Sequence, residues 1–598
     1  MKFINKKLRS LLVFPAILLL TGSCADSFLD QPALGSLNEG VVSNEVGIDK
    51  LLISAYAALD GQQDADNALG GGGPWQAAPD NWVYGSVAGG VASKGSFGGD
   101  QPAIDQIVKF NSNPSNGYYN TKWKAVYEGV KRCNNVLRQL ANDETISDSD
   151  RKDIAGQARF LRGHYYFELK KMWNMVPWID ENTEDPKQPN TEDIWPNIED
   201  DFKFAYENLP ETQSEFGRAN KWAAAAYLGK SYLFQHKYTE AKDIFTTVIS
   251  SGVNSGGTKY DLVPLFKDNF DAATENNAET VFDIQMVAND GTGTIANSNQ
   301  GGKLNFPYGN SPFRCCGFYQ PTQDLVNSYK TDEVTGLPNF DDYNTEPVKS
   351  DMGILSPEPF TPYTGPLDPR LDWTVGRRGL PYHDWGYHPG AEWIREQTYG
   401  GPYSPKKNIY YQATADQYSD QSSWAPGTAI NVHVIRFADV LLMAAEAEAQ
   451  AGSLDQAMAY VNRVRNRAAN PEGFLKDYID SSNPLAGFDE SKDAANYNIA
   501  PYTLAQFSTK ENALKAIYFE RKLELAMEGH RFFDLVRWGI AEETLNAYFE
   551  YQGEITTDVR GGRFFSGIHE YYPIPQAQID LSLDASGQPT LKQNPGYF

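Results

Sequence analysis

Two paired runs of helical periodicity, far apart along the chain, limit the folds open to this sequence. Trp222, Ala225, Ala226, Gly229, Tyr232 and Leu233 recur at three- and four-residue steps, which places them on one face of a helix. After a polar break at His236 and Lys237, the same pattern returns at Ala241, Ile244, Phe245, Val248 and Ile249. A second pair follows much later. Val440, Met443, Ala444, Ala447 and Ala451 line one helix, Gly452 and Ser453 interrupt it, and Ala457, Tyr460, Val461, Val464 and Ala468 line the next. Residues 118–140, 154–173 and 514–538 read as further helical blocks. Helix pairs scattered in this way predict a mainly α chain, a helical scaffold with long excursions rather than a regular solenoid.

The first pair also has the spacing of a tetratricopeptide unit, with Leu228, Gly229, Tyr232, Ala241 and Phe245 at that repeat's offsets. Small residues at Gly229 and Ala241 let the two helices approach, while Tyr232 and Phe245 fill the groove between them. The excursions cover residues 61–117, 251–433 and 470–509. The first holds ten glycines between Gly70 and Gly99, and the second is dense in Pro, Gly, Tyr, Trp and Asn. Unstructured connections of such length are uncommon in a compact domain unless they carry function, so they are expected to build a binding face on the helical base. Nothing in the composition marks a linker, and residues 24–598 are read as one integrated unit.

Residues 1–23 read as an export signal. Lys2, Lys6, Lys7 and Arg9 precede an apolar run of ten residues, Leu11 to Leu20. A bilayer span needs about 20 residues, so the run is a signal-peptide core. Thr21, Gly22 and Ser23 lead into Cys24, the pattern of a bacterial lipobox, which makes Cys24 the expected lipidation site. Several acyl chains anchor stably where one binds only marginally.

Charge and cysteine usage exclude several function classes. With 77 acidic and 52 basic residues the net charge is −25, which repels phosphate backbones and argues against a nucleic-acid partner. Four cysteines without a CxxC pair support neither a disulfide framework nor a zinc site. Cys133 is expected as a buried thiol. The adjacent Cys315 and Cys316 can pair or stay reduced. No GxSxG, HExxH, P-loop, dinucleotide or DxDxDG motif is present, so no cofactor is expected, while the acidity leaves calcium open.

The helical blocks carry a family signature. Residues 157–167 (QARFLRGHYYF) with Val176, Pro177 and Trp178, residues 435–447 (IRFADVLLMAAEA), residues 520–539 (ERKLELAMEGHRFFDLVRWG), residues 572–575 (YPIP) and residues 593–597 (QNPGY) resemble, in order, the motifs of the SusD/RagB family. Gly163, His164 and Phe532 are modest departures. The resemblance implies a SusD-like fold and a non-enzymatic, surface-exposed outer-membrane lipoprotein. Such a protein captures oligosaccharides or polysaccharides and passes them to a SusC-like TonB-dependent transporter. It also implies that Glu524, His530 and Asp534 belong to an ion-pair network with Arg521 and Arg531, and not to an acid–base centre. The flanking acids of Arg370, Asp368 and Asp372, read as a turn clamp.

Sugars present apolar ring faces rimmed by hydroxyls, so capture needs exposed aromatics beside amides and charges. The candidates are Trp75, Asn81, Trp82 and Tyr84 in the first excursion, and Tyr308, Trp385, Trp393 and Arg395 in the second. Three rival functions stand beside this one. RagB-like members take up peptides, and tetratricopeptide grooves bind peptides. A glycoside hydrolase would need two opposed carboxylates about 5–10 Å apart, which composition does not exclude.

Overall fold

A computed structural model describes residues 44–61, 73–291, 297–420 and 422–597. The export signal and Cys24 lie outside the described residues. Among the described residues the scaffold is built from helices α1 Glu45–Ala57, α2 Gly117–Asn142, α3 Asp148–Trp173, α4 Trp195–Asn208, α5 Lys221–Phe234, α6 Tyr238–Ser251, α7 Phe437–Ala451, α8 Leu454–Ala468, α9 Lys510–Glu524, α10 Arg531–Arg537 and α11 Ala541–Ile555, with shorter helices in the excursions. Their starts are written in the sequence. The side chains of Asn116, Ser147, Asn220, Ser453 and Thr509 each accept a hydrogen bond from a first-turn amide, satisfying a donor that has no partner inside the helix.

Neighbouring helices pack in chain order from α1 to α6, and α6 then packs against α7, α7 against α8 and α9. The helix pairs that are scattered in sequence therefore form one continuous row in space. Gly229 makes the α5–α6 contact possible, because a Cβ there would sit 2.6 Å from the Phe245 ring. Cys133, fully buried in α2, packs as a small apolar group.

The long middle excursion leaves the row after α6 and returns at α7, and its ends are tied together. Strand β2 (Thr280–Ile284) pairs antiparallel with β4 (Val432–Arg436), which runs straight into α7. Strand β1 (Ala92–Gly95) likewise pairs with β3 (Phe318–Pro321), binding the first excursion to the second. The third excursion forms a small ribbon of β5 (Lys476–Tyr478) and β6 (Phe488–Asp493). One cluster of buried apolar side chains extends from Ile48 to Leu591. The middle excursion adds its own core of Phe306, Phe313, Tyr382, Trp393, Ile409, Tyr410 and Ala415.

The expected block over residues 514–538 is two helices joined by a turn. Met527 (φ 63°) and Gly529 (φ 78°) take left-handed backbone between α9 and α10. Gly529 is required there, since a Cβ would come 2.0 Å from the Asp80 carbonyl oxygen. This turn aims Glu528 at Arg436 and Lys407. Among the described residues no helix is long and apolar enough to cross a membrane.

Candidate functional site

A buried ion network joins the excursions to the helices. Arg370 meets Asp368, Glu520 and Glu524 at 2.7, 2.7 and 2.9 Å. Arg436 meets Glu279, Glu524 and Glu528 at 2.7, 2.6 and 2.8 Å, and Arg465 and Arg467 bond Glu520, Glu524 and Glu279. Buried carboxylates survive unprotonated only when paired in this way. Burial alone would raise the Glu524 carboxyl, but Arg467, Arg436 and Arg370 outweigh it and hold it well below the usual range. Burial works in the same direction on Glu528, and Arg436 and Lys407 bring it down to about 2. Burial lowers His530 to about 4, so it is neutral at pH 7. Groups fixed in these charge states suit packing and not proton transfer at neutral pH. Asp368 clamps Arg370, whose guanidinium reaches on into this network, whereas Asp372 pairs with Arg377 instead. Arg521 holds Asp439 and Asp534 as expected, whereas Arg531 forms no ion pair among the described residues.

The first-excursion candidates separate into core and surface. Trp82 is 0 % exposed, and Tyr84 is equally buried, its hydroxyl donating to the Gln76 and Tyr118 carbonyls. Neither offers a ring face to a ligand, so both are corrected to core positions. Asn81 is buried too. Its side-chain amide donates to Glu168 at 2.9 Å and its left-handed backbone (φ 51°) starts the turn that buries Trp82. In the second excursion Trp393 belongs to the local core, and half-buried Trp385 packs on that core with its indole N–H on the Tyr410 carbonyl at 2.9 Å. An excursion of this size needs its own apolar centre, and these tryptophans supply it.

Trp75, Tyr308 and Arg395 are half-buried, each with part of its side chain open to solvent. Trp75, half-buried in the turn Pro74–Ala77, meets Trp424 edge-on, with ring centroids 6.3 Å apart and planes at 78°. Trp424 is 65 % exposed and comes from a polar loop that sequence reasoning did not single out. Its signal was a tryptophan among Ser422, Ser423 and Pro426, a setting too polar for a core. From Trp75 a chain of contacts runs beneath the face, through the buried Tyr118 and Ser96. The Tyr118 phenol lies against the Trp75 indole and donates to Gln101 at 2.7 Å. Asp100, beside Gln101, accepts from Arg395 at 2.8 Å, and the Ser96 hydroxyl accepts from the same guanidinium at 2.9 Å. That guanidinium is sandwiched between Phe97 and Tyr308, 4.2 and 4.8 Å from their ring centroids. Phe97, like Trp424, was missed. At the near edge Cys315 and Cys316 are bonded to each other, and Gly317 follows them under Tyr308 and Arg395.

The face thus combines flat apolar rings with hydroxyl, amide and charged groups, on loops pinned to a rigid helical base. Among the described residues no cluster of His, Cys, Asp and Glu has the arrangement to hold a metal ion.

Known proteins share this architecture. The chain is 23 % identical to a SusD superfamily protein from Bacteroides vulgatus, with a TM-score of 0.62 over 93 % of this chain and 99 % of that one. Surface glycan-binding protein A from Bacteroides thetaiotaomicron, solved in complex with laminarihexaose, is 21 % identical with a TM-score of 0.62, over 92 % of this chain and 99 % of that one. In sequence, a SusD-like protein of Bacteroides ovatus is 23 % identical over 96 % of this chain and 93 % of its own length. SusD-like protein P25 of Formosa agariphila is 25 % identical over 70 % of each. A family model described as starch-binding and associating with the outer membrane matches residues 49–233. The SusD family model matches residues 278–597, more than half of the chain, and by that match the protein belongs to the SusD family.

Proposed function

We propose that the protein is a non-catalytic, lipid-anchored carbohydrate-binding protein of the outer-membrane surface. It captures glycan on the loop face and delivers it to a partner TonB-dependent transporter. The observation that carries this reading is the Trp75–Trp424 pair beside the Phe97–Arg395–Tyr308 sandwich. Trp424 gives a pyranose ring an apolar surface to stack on, and Arg395 and Asp100 supply donors and acceptors for its hydroxyls.

Two of the structural neighbours are a laminarin-binding SusD-like protein, matched with a TM-score of 0.58, and the laminarihexaose complex named above. Both support a carbohydrate ligand. The lipobox ending at Cys24 and the outer-membrane description of one matching family model support the anchor and the location. The charge states of Glu524, Glu528 and His530 support a packing role for that cluster.

Affinity electrophoresis of residues 25–598 through gels containing neutral or anionic polysaccharides tests the reading, with a reducing-end assay on the same mixtures. Retardation by one polysaccharide without new reducing ends is the expected result. New reducing ends would remove the non-catalytic assignment, and retardation by none of them would remove the carbohydrate.

A further inference from the structure

A second, separate cavity of about 220 Å³ lies among α9, α10 and α11 and contains no residue of the loop face. Six titratable groups line it: Asp324, Tyr343, Lys522, Arg531, Glu543 and Tyr548. Their pairing is uneven. Asp324 is fully engaged, accepting from Lys522 at 2.8 Å, Tyr343 at 3.0 Å and Asn344 at 2.8 Å. Lys522 spends its charge on that carboxylate. Asp534, the acid nearest in sequence to Arg531, is held by Arg521 and Arg537. Glu543 lines the cavity, is exposed and forms no ion pair among the described residues. This leaves the half-buried Arg531 guanidinium without an ion pair or side-chain hydrogen bond among the described residues. It also leaves the Tyr548 hydroxyl, whose residue is 5 % exposed, buried without a partner.

The Tyr548 hydroxyl has lost water without gaining a bond, and the half-buried Arg531 guanidinium, over the Trp538 ring at 5.9 Å, has no oxygen partner, so an acceptor in the cavity would serve both. Arginine's planar fork matches the oxygens of a carboxylate or sulfate, and a phenol adds one donor to a third lone pair.

We infer that this cavity is a binding site for a single oxyanion group, carboxylate or sulfate, held by the Arg531 guanidinium and the Tyr548 hydroxyl. Its volume admits an inorganic anion or one acidic sugar residue. The site stands independently of the carbohydrate reading of the loop face, since it shares no residue with it.

The test is calorimetric titration of residues 25–598 with sodium sulfate and, separately, sodium glucuronate, at constant ionic strength in chloride. Saturable one-to-one binding is expected for at least one of them, weakened at least about tenfold in Arg531→Gln by loss of a charge-assisted bond. Tyr548→Phe, which removes one hydroxyl and keeps the ring, is expected to weaken it about threefold or more. Binding of sulfate alone identifies a free inorganic anion as the source, and binding of glucuronate an acidic sugar. No saturable heat from either salt up to about 10 mM, or affinity unchanged in both variants, overturns the proposal. If Arg531→Gln does not fold, Tyr548→Phe decides alone.

Discussion

Trp82 and Trp75 are seven residues apart in one glycine-rich excursion, yet they belong to different parts of the molecule. Trp82 is sealed against Phe318 and Tyr319, with ring centroids 6.2 and 5.6 Å away. Trp75 reaches the surface and meets a tryptophan from a loop more than 300 positions later. The first position is part of the foundation and the second part of the face built on it. Aromatic content alone does not distinguish them, because burial and binding use the same large apolar ring.

If this division is right, changes to the foundation should cost stability and changes to the face should cost binding. The largest effect is expected where the ion network ties excursion to helix. Glu524→Ala removes the one carboxylate shared by Arg370, Arg436 and Arg467, leaving a buried cluster short of negative charge, and is expected to cost about 3–5 kcal/mol. Urea unfolding should show this loss, or no folded protein should be recovered. Trp82→Ala leaves a cavity in the core and is expected to cost a similar amount, about 3–5 kcal/mol, in the same assay.

A smaller, pH-dependent effect is expected at the β2–β4 joint. Burial would lower His433, but Asp283, 2.9 Å from its ring nitrogen, raises it to about 9. A histidine whose folded value lies above its unfolded value stabilises the fold fully below about 6.5 and loses that contribution as pH rises through 9. His433→Gln should therefore cost about 2–3 kcal/mol at pH 6, and the difference from wild type should shrink toward pH 10. A constant difference across that range would contradict the pairing. The smallest stability effect is expected at Trp424→Ala, within about 0.5 kcal/mol of wild type, because the ring is exposed.

Much of the foundation was legible in sequence. The three- and four-residue spacing of Trp222 through Ile249 and of Val440 through Ala468 marks α5 to α8, and the polar breaks between them fall at the observed turns. The stacking of α6 on α7 was not legible, because an excursion of that length hides which helices meet. The left-handed turn at Met527 and Gly529 was hidden inside an apparently continuous helical pattern. The face was legible only in part. Trp75, Tyr308 and Arg395 were named and reach the surface, while Trp82, Tyr84 and Trp393 were named and serve the core. Trp424 and Phe97 went unnamed because each acquires its role from a partner remote in sequence. Arg531 shows the same limit, since a motif full of alternating charges suggests pairing for every member.

The central claim is that glycan binds at the Trp75–Trp424 end of the loop face. Calorimetry of wild type and Trp424→Ala with the polysaccharide that retards the protein most strongly tests it directly. The claim predicts an affinity loss of about tenfold or more, near 1.4 kcal/mol, in a variant that unfolds at the wild-type urea concentration. Equal affinities for the two proteins would place the ligand elsewhere and contradict it.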